Sequence, residues 1–186
     1  MGINEDKKAI RKEIRQRIND LDREYCQNAS KIICDRVIAL PEYAKAETVF
    51  CFVGVDGEPD TRSIINDALL NGKRLCVPLC LDSTTMDAIE ISGYDDLVPG
   101  YYGILEPKPG LKAVDPTEID FAVIPCVTCD HKGNRLGHGR GYYDRYFERG
   151  EFEKCMICYE KLTIGVGEIP LDEHDKMVSR VVTDAE

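Results

Sequence analysis

Long apolar runs are missing from this chain, and none approaches the ~20 residues that a membrane-spanning helix needs. The N-terminal stretch is charged from the start and lacks the apolar centre of a secretory signal. We therefore expect a cytoplasmic protein that does not act at a membrane.

Basic charge is also scarce, with 24 Lys and Arg against 34 Asp and Glu and a net charge of −10. This balance argues against nucleic acid as a partner, because nucleic-acid binding needs a broad basic surface. The cations are nevertheless concentrated in two islands, residues 7–17 and 131–149. Such local concentrations predict a site for a small anion.

The length of 186 residues predicts a single domain, residues 1–186, with a sizeable core. Hydrophobic residues make up 43% and charged residues 31%, which is typical of a globular protein. We expect a monomer or a weak dimer.

The nine cysteines are odd in number, and cytoplasmic thiols stay reduced, so we interpret most of them as small core residues. A less favoured alternative is a zinc site built from two CxxC pairs, Cys126 with Cys129 and Cys155 with Cys158. The interval between the pairs is longer than the usual ~15–20 residues. Metal analysis of the purified protein would test this alternative.

Apolar periodicity predicts alternating strands and helices. The predicted helices are residues 5–26, 28–40 (ending at Pro41), 62–71 and 142–149; the predicted strands are 48–53, 74–79, 85–91, 120–126, 155–159, 164–167 and 178–183. The strand–loop–helix–strand unit over 48–79 is typical of parallel sheets. We therefore predict an α/β fold: a single-domain, open, mostly parallel sheet with helices on both faces, in a Rossmann-like three-layer arrangement.

In open α/β sheets, ligands bind beyond the carboxyl ends of the strands, which here places loops 54–61 and 127–141 at the site. The second loop leads into RLGHGRGYYD, residues 135–144. Its alternating glycines allow backbone N–H groups to face an anion, and Arg135 and Arg140 supply donors suited to phosphate. Asp144 could hold Mg²⁺ or simply stabilise the start of a helix.

This glycine-rich segment is neither a Walker motif nor a dinucleotide fingerprint, and three glycines can also form a plain turn. The first helix carries Lys7, Arg11 and Arg15 on one face, where the alternative is an ordinary solvated surface. The residues alone therefore favour a phosphate site without naming the reaction.

The segment RLGHGRGYYDRYF resembles the signature of the 5-formyltetrahydrofolate cyclo-ligase family. The resemblance extends over nearly the whole chain, through the segments KKAIR, GEPDT, GILEP, Asp120 to Pro125, IPLDEHDKMV and VVTDAE. It implies cyclisation of 5-formyltetrahydrofolate to 5,10-methenyltetrahydrofolate while ATP becomes ADP and phosphate. The implied route passes through a phosphorylated formyl oxygen, so that the enzyme mainly positions two substrates and neutralises charge.

Site residues follow from the same resemblance. ATP contacts are implied for Lys7, Lys8, Arg11, Arg15, Arg135, Leu136, Gly137, His138, Gly139, Arg140, Gly141, Tyr142 and Tyr143. Folate contacts are implied for Val55, Glu58, Asp60, His138, Gly139, Arg140, Gly141 and Tyr142. Catalytic roles are implied for Arg140 and Tyr143. Ligation of Mg²⁺ is implied for Asp144 and Asp175.

Three positions depart from the family pattern. His138 stands where many members have Arg, Arg140 stands where Gly or Lys is common, and residues 159–166 lack a Gln that members often carry. These departures leave open a nucleotide- or folate-binding module without turnover, which calorimetric ATP binding without product would favour.

Overall fold

The computed structural model describes residues 2–100 and 103–185. In this part of the chain the α-helices are α1 (Ile3–Asn19), α2 (Arg23–Ile38), α3 (Pro41–Lys45), α4 (Arg62–Leu70) and α5 (Tyr142–Tyr146). None of the described helices is long and apolar enough to cross a membrane.

The strands are β1 (Thr48–Cys51), β2 (Arg74–Cys80), β3 (Met86–Ile91), β4 (Leu97–Pro99), β5 (Leu105–Pro107), β6 (Ala113–Val114), β7 (Phe121–Ile124), β8 (Thr128–Cys129), β9 (Arg135–Leu136), β10 (Glu153–Ile157) and β11 (Arg180–Val182). Seven of them form one sheet in the order β11-β10-β7-β1-β2-β3-β6. The first five strands in that order run parallel; β3 runs antiparallel to β2, and β6 runs antiparallel to β3. The predicted α/β fold with a mostly parallel sheet is confirmed.

Helices pack against both faces of the central strand β1, which is buried along its whole length. The ring of Phe50 lies 5.4 Å from that of Tyr146 in α5. The thiol of Cys51 instead lies near Cys34 in α2. Because neighbouring strand residues point to opposite faces, α5 and α2 must cover opposite sides of the sheet.

Two predicted elements are wrong in detail. The predicted helix 5–26 is two helices, since Asp22 begins α2 by accepting the N–H of Glu24 at 2.9 Å. No strand forms at 164–167, where a turn places the N–H of Glu168 3.0 Å from the carbonyl of Gly165. Gly167 has φ 88°, a left-handed conformation that glycine adopts easily and that suits a turn.

The other boundaries shift modestly. The helix predicted over 142–149 is α5 followed by a 3₁₀ turn, Phe147–Arg149. The connection over 99–118 contains β5 and β6, although its residues 101–102 lie outside the described part of the chain. Loops 54–61 and 127–141 follow the parallel neighbours β1 and β7, so both begin at the same edge of the sheet.

Candidate functional site

Helix α1 presents its basic face to the glycine loop, by which we mean residues 135–144. Ile14 is fully buried, and Ile10 and Ile18 pack against the same core. This stripe fixes the rotation of the helix, because residues three and four apart share a face. It leaves Lys7 and Arg11 on a face directed into the protein, whereas Lys8 and Arg15 remain exposed.

Lys7 is buried, with 6% of its surface exposed, and forms two ion pairs. Its Nζ donates to Oδ2 of Asp172 at 2.7 Å and to Oδ2 of Asp175 at 2.6 Å. Burial alone would lower the pKa of this amine, but the two hydrogen-bonded carboxylates raise it overall. A predicted phosphate ligand and a predicted Mg²⁺ ligand are therefore in direct contact.

Arg135 connects the glycine loop to the acidic segment, by which we mean residues 172–176. Its Nη2 donates to Oδ1 of Asp144 at 2.5 Å, and its Nη1 donates to the carbonyl of Lys176. The N–H of Lys176 donates to the same Asp144 oxygen at 3.2 Å. The guanidinium also lies 5.0 Å from the ring centre of Phe147. This network places Asp144 beside the segment that carries Asp175.

The hairpin of β8 and β9 positions Arg135 between Asp144 and Lys176. Oδ1 of the buried Asp130 accepts the N–H groups of Lys132 and Asn134 at 2.9 and 3.0 Å. Such bonds to successive backbone N–H groups stabilise a tight turn. Leu136, which follows Arg135, points into the core with 2% exposure and therefore serves as an anchor in this structure.

Arg11 contacts the backbone of the glycine loop. Its Nε donates to the carbonyl of Gly137 at 2.7 Å. A Cβ atom added to Gly139 would lie 3.4 Å from the Arg11 guanidinium, and Gly139 has φ 98°. Burial lowers the pKa of Arg11, and the neighbouring charge of Arg15 lowers it further. The positive φ of residue 139 therefore favours glycine at this position.

Helix α5 is too short to supply the full positive end that the sequence suggested. It spans only Tyr142–Tyr146, and Gly141 precedes it in the left-handed conformation at φ 66°. A helix dipole grows with the number of aligned peptides, so one turn contributes little. The positive character of this site comes mainly from Lys7, Arg11 and Arg135.

The 54–61 loop approaches the glycine loop through Glu58. The Glu58 side chain is 11% exposed, and its Oε1 lies 3.4 Å from Nε2 of His138. Its Oε2 accepts the N–H of Val55 at 3.3 Å, and its carbonyl accepts the hydroxyl of Tyr159 at 2.9 Å. The predicted folate residues Val55 and Glu58 are thus brought next to His138.

Asp60 is oriented differently from Glu58. Its carboxylate pairs with the Arg62 guanidinium, with Nε 2.8 Å from Oδ2, and it also caps the N-terminus of α4. These bonds lower the pKa of Asp60, with the Arg62 side chain as the largest cause. The Asp60 carboxylate is therefore bound to Arg62, whereas Glu58 contacts His138.

The predicted catalytic residues differ in environment. Burial raises the pKa of Tyr143, and the nearby charge of Glu58 raises it further. Arg140 is exposed, and its carbonyl accepts a hydrogen bond from Arg145 at 2.6 Å. The hydroxyl of Tyr142 donates to the carbonyl of Asp82 at 2.7 Å.

Sequence reasoning missed Asp172 and Tyr159. Asp172 accepts the N–H of His174 at 2.9 Å and the Lys7 ammonium, so it organises the acidic segment. Its spacing of three from Asp175 is a turn signal that the sequence contains. Tyr159 supports Glu58 from a position that no motif marks.

The less favoured alternative, a zinc site built from both CxxC pairs, does not form as a set of four cysteines. The sulfur atoms of Cys126, Cys129 and Cys158 lie within 4.8 Å of one another. Cys155 lies inside β10, paired with Val123 and Arg180, and is not in this group. Cys155 lies within β10, where its side chain is directed by the alternation of the strand. Cys158 follows the end of β10 and joins the other two cysteines.

The chain is similar in sequence to a known family and to individual proteins of that family. The model of the 5-formyltetrahydrofolate cyclo-ligase family matches residues 3–184. A probable 5-formyltetrahydrofolate cyclo-ligase from Schizosaccharomyces pombe is 30% identical over 81% of this chain and 81% of its own length. The 5-formyltetrahydrofolate cyclo-ligase of Escherichia coli is 30% identical over 91% of this chain and 96% of its own length.

A solved structure extends the likeness to three dimensions. The NMR structure of 5,10-methenyltetrahydrofolate synthetase from Aquifex aeolicus superposes with a TM-score of 0.83 and 30% identity. The superposition covers 97% of this chain and 90% of that one.

Proposed function

The chain belongs to the 5-formyltetrahydrofolate cyclo-ligase family, and we propose that it converts 5-formyltetrahydrofolate to 5,10-methenyltetrahydrofolate. ATP is the co-substrate and becomes ADP and phosphate. Mg²⁺ accompanies the nucleotide. The cell compartment is the cytoplasm, and the protein acts as a monomer or weak dimer without nucleic acid or membrane.

One observation carries the proposal: the basic face of α1, the glycine loop and the acidic segment meet at a single junction. Lys7 contacts Asp175, Arg11 contacts Gly137, and Arg135 contacts Asp144. Three cations and three carboxylates, the third being Asp172, lie within one junction, and both types of group are needed by a polyphosphate with its metal ion.

The ATP phosphates bind between α1 and the glycine loop. Arg11 and Arg135 are held by backbone carbonyls, so their orientation is fixed before the nucleotide arrives. The backbone N–H groups of Gly139 and Gly141 supplement them, because positive φ values turn successive peptides toward a common side. Lys8 and Arg15 add charge from the exposed side of the helix.

Asp144 and Asp175 suit Mg²⁺, which prefers carboxylate and phosphate oxygens. Arg135 pairs with Asp144 and Lys7 pairs with Asp175, and these contacts hold both carboxylates close to the junction. When bound, the ion withdraws charge from the phosphate oxygens and orients them.

The reduced folate occupies the space between the 54–61 loop and the glycine loop. Glu58 offers a carboxylate that is 11% exposed, which suits the adjacent N–H donors of a pterin ring. Val55 lies within the same loop, and His138 closes the pocket from the glycine loop. Asp60 contributes from that loop, with its carboxylate bound to Arg62.

The chemistry replaces a poor leaving group with a good one. The formyl oxygen attacks the γ-phosphorus and ADP leaves, giving a phosphorylated imidate. N10 of the folate then attacks the formyl carbon and gives up its proton to water, and phosphate leaves with the former formyl oxygen. Arg140 stabilises the transferring phosphoryl group, and Tyr143 stays protonated and donates a hydrogen bond, because its pKa is raised.

The test is the growth of methenyltetrahydrofolate absorbance from 5-formyltetrahydrofolate, with and without ATP and Mg²⁺. We expect absorbance to grow only when all three are present. Well-folded protein that gives no signal would refute turnover. Calorimetric ATP binding in that same sample would instead identify a binding module.

A further inference from the structure

Three cysteines from separate segments meet at the carboxyl edge of the sheet. Cys126 follows β7, Cys129 ends β8, and Cys158 follows β10. Their exposed fractions are 7%, 0% and 2%, and their sulfur atoms lie within 4.8 Å of one another. We call these residues the thiol cluster.

The thiol cluster differs from the other buried cysteines, which behave as small core residues. Cys34 and Cys76 direct their thiols to backbone carbonyls, and burial raises their pKa values to about 11 and about 12. Within the cluster, the sulfur atoms of Cys126, Cys129 and Cys158 face one another, although the Cys126 thiol also lies 3.8 Å from the carbonyl of Ile157. Buried thiols this close together are suitable ligands for a soft metal cation.

The spacing of the sulfur atoms fits a metal ion. With metal–sulfur bonds of about 2.3 Å, tetrahedral geometry places sulfur ligands about 3.8 Å apart. The cluster, with every separation below 4.8 Å, reaches that spacing through side-chain movements of less than about 1 Å. Metal binding therefore needs no rearrangement of the strands.

The cluster itself supplies three ligands, and the ring nitrogens of His131 lie outside the group of sulfur atoms, so His131 would supply a fourth only by turning toward them. His131 lies two residues beyond Cys129, and its Nε2 lies 3.0 Å from Oε1 of Glu160, which lies two residues beyond Cys158. Metal-bound histidines generally donate their second ring nitrogen to a carboxylate. This contact leaves Nδ1 of His131 for a metal, and the 55% exposed side chain has room to turn. Oε2 of Glu160 is buried without a hydrogen-bond partner in the described part of the chain.

We propose that Cys126, Cys129 and Cys158, closed by His131, form a structural site for Zn²⁺. Thiolate and imidazole ligands select zinc over Mg²⁺, so this site and the all-oxygen metal site of the glycine loop do not compete for one ion. The cluster ties the ends of β7 and β10 to the hairpin that carries Arg135. Zinc here stabilises the platform of the glycine loop and takes no part in the reaction.

The experiment uses the full-length protein, reduced, freed of metal with a chelator, and titrated with Co²⁺ as a spectroscopic probe. We expect one Co²⁺ per chain, intense sulfur-to-cobalt charge-transfer absorbance, and displacement by Zn²⁺. The Cys126→Ser and Cys158→Ser variants lose this absorbance. The matched control Cys155→Ser, also at a buried position of the same region, keeps it. Equal absorbance in Cys126→Ser and wild type would overturn the site.

A second measurement avoids the risk that a variant fails to fold. X-ray absorption of wild-type protein loaded with one equivalent of Zn²⁺ should show three sulfur ligands at about 2.3 Å and one nitrogen ligand at about 2.0–2.1 Å. An all-oxygen shell, or no retention of zinc by the reduced protein, would refute the proposal. His131→Gln should keep the sulfur ligands and weaken zinc affinity about 10–100-fold; unchanged affinity would refute the role of His131.

Discussion

The ammonium nitrogen of Lys7 lies 2.6 Å from Oδ2 of Asp175, although 168 positions separate the two residues in the sequence. The contact joins the first helix to the acidic segment. A cation expected to bind phosphate and a carboxylate expected to bind metal therefore hold each other in place. Removing either one changes the surroundings of the other.

Replacing Lys7 by Met removes a buried charge and keeps most of the packing volume. We expect kcat/KM for ATP to fall about tenfold to a hundredfold, because a hydrogen bond to a charged group contributes about 1.5–3 kcal/mol. Steady-state kinetics with ATP as the varied substrate measure the loss. The control is Lys31→Met, which removes an exposed lysine paired with Asp35. Similar kinetics for the two variants would contradict the role of Lys7.

The variant Asp144→Asn tests the metal ligand. It keeps an oxygen that can accept from Arg135 and Lys176 but removes the charge that Mg²⁺ needs. We expect the Mg²⁺ concentration for half-maximal activity to rise at least tenfold, in line with losses from altered metal ligation. Asp87→Asn is the control, since Asp87 forms an ion pair with Arg149 outside the glycine loop. An unchanged Mg²⁺ dependence in Asp144→Asn would rule out its ligand role.

Gly139→Ala tests the shape of the glycine loop. Gly139 has φ 98° and lies beside Arg11, so alanine brings backbone strain of about 1–2 kcal/mol to the glycine loop. Gly72→Ala, at φ 69° with no neighbouring atoms within 4 Å, brings similar strain far from the site. We expect both variants to lose stability in urea unfolding but only Gly139→Ala to lose ATP affinity by calorimetry. Equal ATP affinity would mean that the loop backbone does not contact the nucleotide.

The pair of Asp172 and Lys7 should make stability depend on pH. The Lys7 hydrogen bond is the main cause that lowers the pKa of Asp172. The folded-state pKa thus lies below the unfolded value of about 3.9, so the stabilisation is present above pH 4 and is lost as the pH falls through the folded-state pKa. We expect Asp172→Asn to be less stable than wild type at pH 7, with a smaller difference at pH 3. Urea midpoints at the two pH values, with Asp35→Asn as control, measure this; a constant difference would contradict it.

His138→Arg tests the contact between the two loops. Nε2 of His138 lies 3.4 Å from Glu58, and an imidazole carries charge only when it is protonated. A guanidinium is always charged and restores the residue that many family members have. We expect the KM for the folate to fall several-fold while kcat changes little. Lys31→Arg, at an exposed position of α2, is the control and should leave KM unchanged.

The buried strands could be predicted from the sequence, because each is marked by a local run of apolar residues. The strands β1 and β7 are uninterrupted buried apolar runs, and their shared edge follows from parallel pairing. The split between α1 and α2 depends on Asp22, a capping signal that the continuous apolar stripe masked. The glycines at 165 and 167 likewise overrode the apolar residues that suggested a strand.

The site was predictable only as a set of residues, not as a geometry. Motifs pointed to Lys7, Asp144 and Asp175, whose roles as ligands stay predictions. No local signal showed that Asp172 would join Lys7 or that Asp60 would bind Arg62, because these contacts depend on tertiary packing and side-chain rotamers. The thiol cluster depends in the same way on the pairing of β7 with β10.

The distance along the chain between Lys7 and Asp175 also bears on the order of events during synthesis. The first helix emerges from the ribosome before the acidic segment has been synthesised. During that interval the Lys7 ammonium has no carboxylate partner in the acidic segment. Nucleotide affinity should therefore arise only after both the first helix and the acidic segment have been synthesised. ATP would then favour the finished fold over nascent or truncated chains by mass action.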